Sequence, residues 1–145
     1  MTGLPLNPKI EVHPLIYGSA YRTTVYATLE VIRAIAGHAD GEAIFKKLRG
    51  AAEVGFFSVP SNMLRSEKTL AGDGVFRFGY SNAKLHRLIG FFVDPSTKRE
   101  FVIIESFEKF NADDYSKAQV KKMQLVAEVY KGGPERWVIK PLPIT

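Results

Sequence analysis

The chain has 145 residues, the length of one compact domain with a single core, and its apolar content of 46% is that of a globular protein rather than a disordered one. Cysteine is absent, which excludes disulfides and thiolate metal sites, and no apolar run reaches the roughly 18 residues that a membrane helix needs. The formal net charge of +5 is compatible with a polyanionic partner. We therefore expect a cytoplasmic protein without a signal peptide, a membrane segment, a cofactor or a metal.

The first third of the chain predicts a helical hairpin. Apolar side chains recur at three- and four-residue spacing across residues 19–37, where Ser19 is the expected cap and Gly37 the expected end. A second helix is expected over residues 38–52, with Asp40 as its cap. Because the connection between the two segments is short, we expect them to pack as a hairpin.

The next segment predicts a three-stranded antiparallel meander. Aromatic and β-branched residues are concentrated in GVFRFGY (74–80), LHRLIGFFV (85–93) and EFVIIESF (100–107). The turn-like sequences SNAK and DPSTKR separate these three segments. The second and third strands should therefore each pair with the strand before it.

A helix predicted over residues 111–133 closes this arrangement. Asn111 is a typical cap, and Asp113 and Asp114 would lie at the positive end of the helix dipole. Two consecutive glycines stop the helix at its other end.

Helices packed on one face of an antiparallel sheet define the α+β class. We therefore expect an N-terminal helical hairpin on a three- to four-stranded antiparallel sheet, followed by a C-terminal helix. A single domain is expected over residues 1–145, with its core at 20–131 and peripheral tails at 1–15 and 132–145. A short strand is expected at each end of the chain, the first within residues 9–18 and the second at residues 137–139.

Two arginines, Arg77 and Arg87, lie inside the predicted strands among aromatic and aliphatic residues. If these strands pair across the SNAK turn, the arginines lie on neighbouring strands, where their planar multi-donor groups suit a phosphate. Arg65, Lys68 and Lys84 belong to the same basic stretch and are the expected contacts to an RNA backbone. An alternative interpretation is that the arginines belong to an exposed sheet face, with their stems lying along apolar surface.

The motifs GVFRFGY, LHRLIGFFVD, KREFVIIESFEKF and DDYSKAQVKKMQLVAEVY follow one another after the helical segments. In this order and spacing, residues 20–131 resemble the RelE/ParE toxin superfamily, nearest to its HigB-like and phage-derived branch. The resemblance implies a RelE-like fold and a cytoplasmic prokaryotic or phage protein. It implies the toxin component of a toxin–antitoxin system, which acts with the ribosome to cleave mRNA and is restrained by a helix-turn-helix antitoxin.

The resemblance also implies roles for four residues. Arg87 matches the arginine that contacts the reacting phosphate, and Arg77 matches a basic position on the preceding strand. Lys109 matches a basic residue at the end of the third strand, and Tyr115 matches an aromatic residue at the final helix. The implied reaction uses no metal: the ribose 2′-hydroxyl attacks the adjacent phosphorus, leaving a cyclic phosphate and a free 5′-hydroxyl.

Two departures from the family pattern favour a different function. Gly79 and Glu108 stand where active members frequently hold basic residues, and the two tails exceed those of the compact toxins. The alternative is a non-catalytic protein of the same fold that inhibits a host protein, including DNA gyrase as a target.

Overall fold

The computed structural model describes residues 8–79, 85–109 and 115–142. Within these residues, seven strands form one sheet and four α-helices pack against it. The strands are β1 (Ile10–Ile16), β2 (Thr24–Ala27), β3 (Leu64–Ser66), β4 (Phe76–Phe78), β5 (Leu85–Phe92), β6 (Glu100–Lys109) and β7 (Trp137–Ile139), and the helices are α1 (Leu29–Gly37), α2 (Gly41–Val54), α3 (Lys68–Ala71) and α4 (Lys117–Gly132). None of the described helices is long and apolar enough to cross a membrane.

The sheet is mixed and has the strand order β3-β4-β5-β6-β2-β1-β7. Strands β4, β5 and β6 pair antiparallel in succession, which confirms the predicted meander. The pairs β2–β6 and β1–β7 are parallel, and the remaining neighbours are antiparallel. The meander is therefore one half of a larger sheet.

The predicted three- to four-stranded antiparallel sheet with an N-terminal helical hairpin is wrong. Two strands precede the helix pair, and residues 24–27, which the periodicity placed inside the first helix, form β2. Val25 and Ala27 are buried, whereas Thr24 and Tyr26 are partly exposed, which is the two-residue period of a strand. Val25 fits both a helical and a strand period, and the long-range pairing of β2 with β6 selects the strand.

Helix α1 begins after this strand rather than at Ser19. Thr28 is its N-cap, and the Thr28 hydroxyl accepts a hydrogen bond from the Val31 amide at 3.2 Å. The helix ends at Gly37 as expected, and Asp40 occupies the cap position of α2 without a capping hydrogen bond from its side chain. The helix pair is thus present, but it follows two strands.

Strands β1 and β7 pair with each other at one end of the sheet, so segments that were expected to be peripheral contribute strands. The short strand predicted at residues 137–139 is confirmed as β7. Strand β1 passes through Pro14 with a register shift between Pro14 and Ile16. Proline lacks a backbone donor, so a break in the regular ladder is expected there.

The core has two parts, one on each face of the sheet. Alternate residues of β6 lie on opposite faces of the sheet. Phe101 and Ile103 pack toward α1 and α2, and Val102 and Ile104 pack toward α4. The sheet is therefore buried on both sides over its centre. This explains why β6 is almost continuously apolar in sequence.

Helix α4 begins later than the sequence predicted. Ser116 is the N-cap, and it forms a capping box in which its hydroxyl accepts from the Gln119 amide at 3.1 Å and the Gln119 side chain accepts from the Ser116 amide at 3.0 Å. The expected start at Asn111, Asp113 and Asp114 lies outside the described residues. Helix α4 ends at Gly132, close to the predicted stop.

Candidate functional site

Arg77 and Arg87 lie on neighbouring strands and on the same face of the sheet. Arg77 of β4 is paired with Ile89 of β5. Arg87 lies on β5 two residues before Ile89, which makes it the diagonal neighbour of Arg77. This confirms the sequence prediction that the two strands bring the arginines together. Only 5% of Arg77 and 3% of Arg87 is exposed, so the alternative of an exposed sheet face is wrong for both residues.

Tyr115 joins this pair from the segment before α4. Arg87 is paired with Phe107 of β6, and the Tyr115 ring packs edge-on against the Phe107 ring, with centroids 5.8 Å apart. The Tyr115 hydroxyl donates a hydrogen bond of 2.6 Å to the Glu67 carboxylate, and Tyr115 also hydrogen-bonds Arg87. Three of the four residues that the resemblance marked therefore meet.

Glu67 is a member of this cluster that the sequence analysis missed. Its Oε2 atom lies 3.7 Å from the Nε atom of Arg77, and both side chains are buried. The Glu67 amide donates to the Val75 carbonyl at 2.8 Å, which fixes the segment between β3 and α3 beside β4. Glu67 is the only acid between Glu53 and Asp73, but no local pattern reveals that β3 pairs with β4.

The electrostatic environment of the cluster shifts two pKa values. Burial, and then the positive charge of Arg77, lower the pKa of Arg87, although Tyr115 and Glu67 oppose this change. Burial and the hydrogen bond to Glu67 raise the pKa of Tyr115 to about 12. Tyr115 is therefore a neutral hydrogen-bond donor at physiological pH.

Among the described residues, two guanidinium groups and one carboxylate leave this cluster with an excess of positive charge. The Nε atom of Arg77 and the Nε and Nη1 atoms of Arg87 are buried and have no hydrogen-bond partner among the described residues. A buried donor without an acceptor is costly, about 1–3 kcal/mol and more when it is charged. An anion with several oxygen acceptors would satisfy these groups.

The structure assigns no position to two of the predicted functional side chains. The backbone of Lys109 pairs with Leu85 at the end of β6, but its side chain lies outside the described part of the chain. Lys84, a predicted RNA contact, lies outside it altogether. Their participation in the site stays a prediction.

The other predicted RNA contacts are exposed. Arg65 of β3 is paired directly with Arg77, and it therefore lies on the same sheet face at the rim of the cluster. The Lys68 ammonium lies 3.4 Å from the Asp73 carboxylate, in an exposed ion pair. Of these two residues, only Arg65 adds positive charge beside the buried arginines.

Glu108 does not neutralise the arginine cluster. Its carboxylate contacts the Nε2 atom of His38, in the connection between α1 and α2, while its neighbour Phe107 faces α4. The Glu108 carbonyl accepts a hydrogen bond of 2.9 Å from the Gln119 side chain. This acid thus ties β6 to the helix pair, which the sequence analysis did not foresee.

Comparison with known proteins adds no family to this geometry. No protein-family model and no curated protein matches the chain. In the part of the chain that the structure describes, no group of three or more histidine or acidic side chains is placed to hold a metal ion. The chemistry of the site is therefore derived from its two guanidinium groups, one carboxylate and one phenol.

Proposed function

We propose that this protein is the toxin component of a toxin–antitoxin system and acts as a ribosome-dependent, metal-independent mRNA endonuclease. The observation that carries this proposal is the convergence of Arg77, Arg87 and Tyr115. Each comes from a different segment, and each matches a position of the toxin motifs. The partners that follow are mRNA, the ribosome and a helix-turn-helix antitoxin.

The arginines are assigned to the phosphate. During attack by the 2′-hydroxyl, negative charge accumulates on the non-bridging oxygens of the phosphate. A guanidinium group presents several N–H donors in a fixed plane, which matches phosphate oxygens better than the single ammonium of lysine. Three donors of Arg77 and Arg87 have no hydrogen-bond partner among the described residues, but they are buried, so a phosphate reaches them only when the side chains that cover them move aside. Once the contact is made, the low polarity of the buried site strengthens the electrostatic interaction.

Two protons must move for the strand to be cut. The 2′-hydroxyl loses its proton as its oxygen bonds to phosphorus, and the leaving 5′-oxygen gains one as its bond to phosphorus breaks. Tyr115, which stays protonated at neutral pH because its pKa is about 12, is assigned as the donor to the leaving oxygen, which requires its hydroxyl to turn from the Glu67 carboxylate to that oxygen. Lys109 is assigned as the acceptor on its match to the toxin motifs alone, a role that requires its amine to be neutral. Glu67 positions Tyr115 and Arg77 by its two contacts.

Expression in a bacterium tests the proposal. The wild type should slow growth and cleave mRNA into fragments with a cyclic phosphate and a free 5′-hydroxyl, whereas Arg87→Ala should do neither. Arg33→Ala, which removes an exposed arginine of α1 from the helix pair on the other sheet face, should behave as wild type. Circular dichroism and a thermal melt of purified Arg87→Ala would show whether the variant folds, and Arg87→Lys provides a conservative second variant. Equal growth and intact mRNA for wild type and Arg87→Ala would overturn the proposal.

A second candidate function is supported by the burial of the same residues. Since Arg77 and Arg87 are nearly inaccessible and Glu67 balances part of their charge, the cluster is also suited to a purely structural role. The protein would then act as a non-catalytic inhibitor of a host protein. A single host protein recovered equally by wild type and by folded Arg87→Lys, without mRNA cleavage, would favour this function. A DNA supercoiling assay would show whether that host protein is DNA gyrase.

A further inference from the structure

A second cationic region lies at the other end of the central strands. A pocket of about 440 Å³ is lined by residues from three segments, including Arg22 before β2, Phe57 after α2, and Lys98 and Arg99 before β6. Arg99 immediately precedes β6, whereas Phe107, the partner of Arg87, is near the other end of that strand. At about 3.3 Å per residue, the two regions are separated by roughly 25 Å along β6.

Thr23 holds the three segments of this pocket together. Its buried hydroxyl donates to the Lys98 carbonyl at 2.9 Å and accepts from the Phe56 amide at 2.9 Å. The amides of Arg22 and Thr23 donate to the carbonyl of Ala52 at the end of α2, at 2.9 and 3.1 Å. The pocket is thus built by the fold itself, because buried hydrogen bonds fix the backbone beneath its cationic side chains.

The positive charges of the pocket have no acidic partner in the part of the chain that the structure describes. No described acidic side chain lines it, and none of Arg22, Lys98 and Arg99 lies within 4.0 Å of a carboxylate in residues 8–79, 85–109 and 115–142. Ser58 and Thr97 also line the pocket, and a serine hydroxyl can donate to an anion, whereas the Thr97 hydroxyl donates to the Asp94 carbonyl at 3.4 Å. This composition selects a negatively charged ligand.

Lys98 is held in a defined position in this pocket. Its Nζ atom lies 5.5 to 5.8 Å from the ring centroids of Phe57, Phe76 and Phe92, within the range of a cation–π interaction. It also donates to the Pro95 carbonyl at 3.1 Å. The φ angle of Lys98 is 52°, the left-handed region, and no other described non-glycine residue has a positive φ. The charge is therefore fixed in advance of any ligand.

Phe57 indicates which kind of anion fits. It lines the same pocket, and 74% of its surface is exposed, a larger fraction than for any other exposed large apolar residue that the structure describes. An accessible aromatic ring beside cations is the combination that binds single-stranded nucleic acid, where the ring stacks on a base and the cations contact the phosphate. A volume of about 440 Å³ is in the usual range for a small-ligand pocket.

We propose that this pocket binds a nucleoside phosphate, with the base on Phe57 and the phosphate on Arg22, Lys98 and Arg99. The ligand is either a free nucleotide or one unit of single-stranded RNA, and the chemistry of recognition is the same for both. The site does not rest on the proposed nuclease function, because binding here requires neither Arg87 nor any cleavage.

Fluorescence anisotropy of the full chain with a labelled short oligoribonucleotide tests this site. The competitors are adenosine monophosphate, inorganic phosphate, unlabelled single-stranded RNA and RNA duplex. Phe57→Leu, which keeps an apolar side chain but removes the ring, should weaken binding by about tenfold, whereas Phe57→Trp should retain it. Arg99→Glu should weaken binding by at least as much, and Lys121→Glu, the same change on the exposed side of α4, should have a clearly smaller effect.

The competitors distinguish the two sources of the ligand. If the mononucleotide displaces the labelled strand, a free nucleotide is sufficient as the ligand. If only unlabelled single-stranded RNA displaces it, the ligand is an RNA strand. The proposal would be overturned if inorganic phosphate or duplex RNA displaced the labelled strand as effectively as single-stranded RNA does, because neither competitor offers an unpaired base. Wild-type affinity in both Phe57→Leu and Arg99→Glu would overturn it as well, and so would equal losses in Arg99→Glu and Lys121→Glu.

Discussion

The two cationic regions of this molecule differ in where their charge is balanced. In the buried cluster, Arg77 and Arg87 are enclosed with Glu67 and Tyr115, so the fold depends on those internal partners. In the open pocket, Arg22 and Arg99 are exposed to water, and solvent balances their charge. The same type of side chain is therefore expected to govern stability in one region and binding in the other. Substitutions that separate these two quantities test the comparison.

The largest effect is expected when the buried cluster loses its carboxylate. Glu67→Ala leaves two guanidinium groups enclosed without an acid among the described residues, and it should lower the free energy of unfolding by about 3–5 kcal/mol. Urea denaturation measures this loss. The matched control is Glu11→Ala, which removes the carboxylate of an exposed pair with Lys140 and should change stability by no more than about 1 kcal/mol.

Changing the anion in the buffer tests whether the cluster binds an anion. Sodium phosphate should restore part of the stability of Glu67→Ala, relative to sodium chloride at equal ionic strength, because an anion that binds only the folded cluster stabilises it. Similar losses in Glu67→Ala and Glu11→Ala would show that the buried cluster does not depend on its internal acid, and the contrast between the two regions would fail.

The next largest effect concerns the hydroxyl of Tyr115. Tyr115→Phe keeps the ring against Phe107 but removes the donor to the buried Glu67 carboxylate, and it should cost about 1–3 kcal/mol of stability. Chemical denaturation of Tyr115→Phe beside Tyr17→Phe measures this cost, since Tyr17 is exposed and its hydroxyl should contribute little. A loss in Tyr17→Phe as large as that in Tyr115→Phe would refute this assignment.

Alkaline pH should affect the buried cluster through the same tyrosine. Because the pKa of Tyr115 is raised from 10.0 to about 12, the unfolded chain releases this proton at lower pH than the folded chain. The stability that the neutral phenol contributes is therefore fully present below pH 10 and is lost as the pH rises toward 12. Tyr26, whose pKa burial and Glu100 raise to about 12, contributes to the same window.

Denaturation curves of wild type, Tyr115→Phe and Tyr26→Phe across this window measure the effect. Each substitution should make the decline in stability between pH 10 and pH 12 shallower than in wild type. A decline that neither substitution changes would contradict the role of both phenols.

The smallest effect on stability is expected in the open pocket. Arg99→Ala should change the free energy of unfolding by less than about 0.5 kcal/mol, because the side chain is exposed and has no acidic partner among the described residues. If RNA binds there, the variant should reduce the slope of log affinity against log salt by about 0.7, the value for one phosphate contact on a single strand. An unchanged slope would exclude Arg99 from phosphate contact.

The sequence predicts that the two buried arginines lie close together, but it does not predict which residues surround them. Arg77 and Arg87 lie on strands with clear composition and a short turn, so their proximity follows from local pairing. Glu67 reaches them only because the three-residue strand β3 pairs with β4, and three residues carry no usable period. A site completed by such a short strand is not encoded in any local pattern.

The open pocket was missed for a related reason. Its segments meet because β2 pairs with β6, whereas the helical spacing that Val25 satisfies predicts a helix at residues 24–27. Once these residues are assigned to a helix, nothing in the sequence brings Arg22 near Arg99. The sequence also does not indicate that Phe57 is exposed, because a single aromatic residue after a helix is most simply explained as part of the core.

The parallel pairing of β2 with β6 determines when each region can form as the chain folds. Arg77 and Arg87 lie on consecutive strands joined by a short connection, so a local hairpin brings them together early, on the microsecond scale typical of such units. The pocket requires Thr23 to reach Lys98, 75 residues along the chain, and contacts of such sequence separation form slowly. We therefore expect the arginine pair to come together before the open pocket is complete.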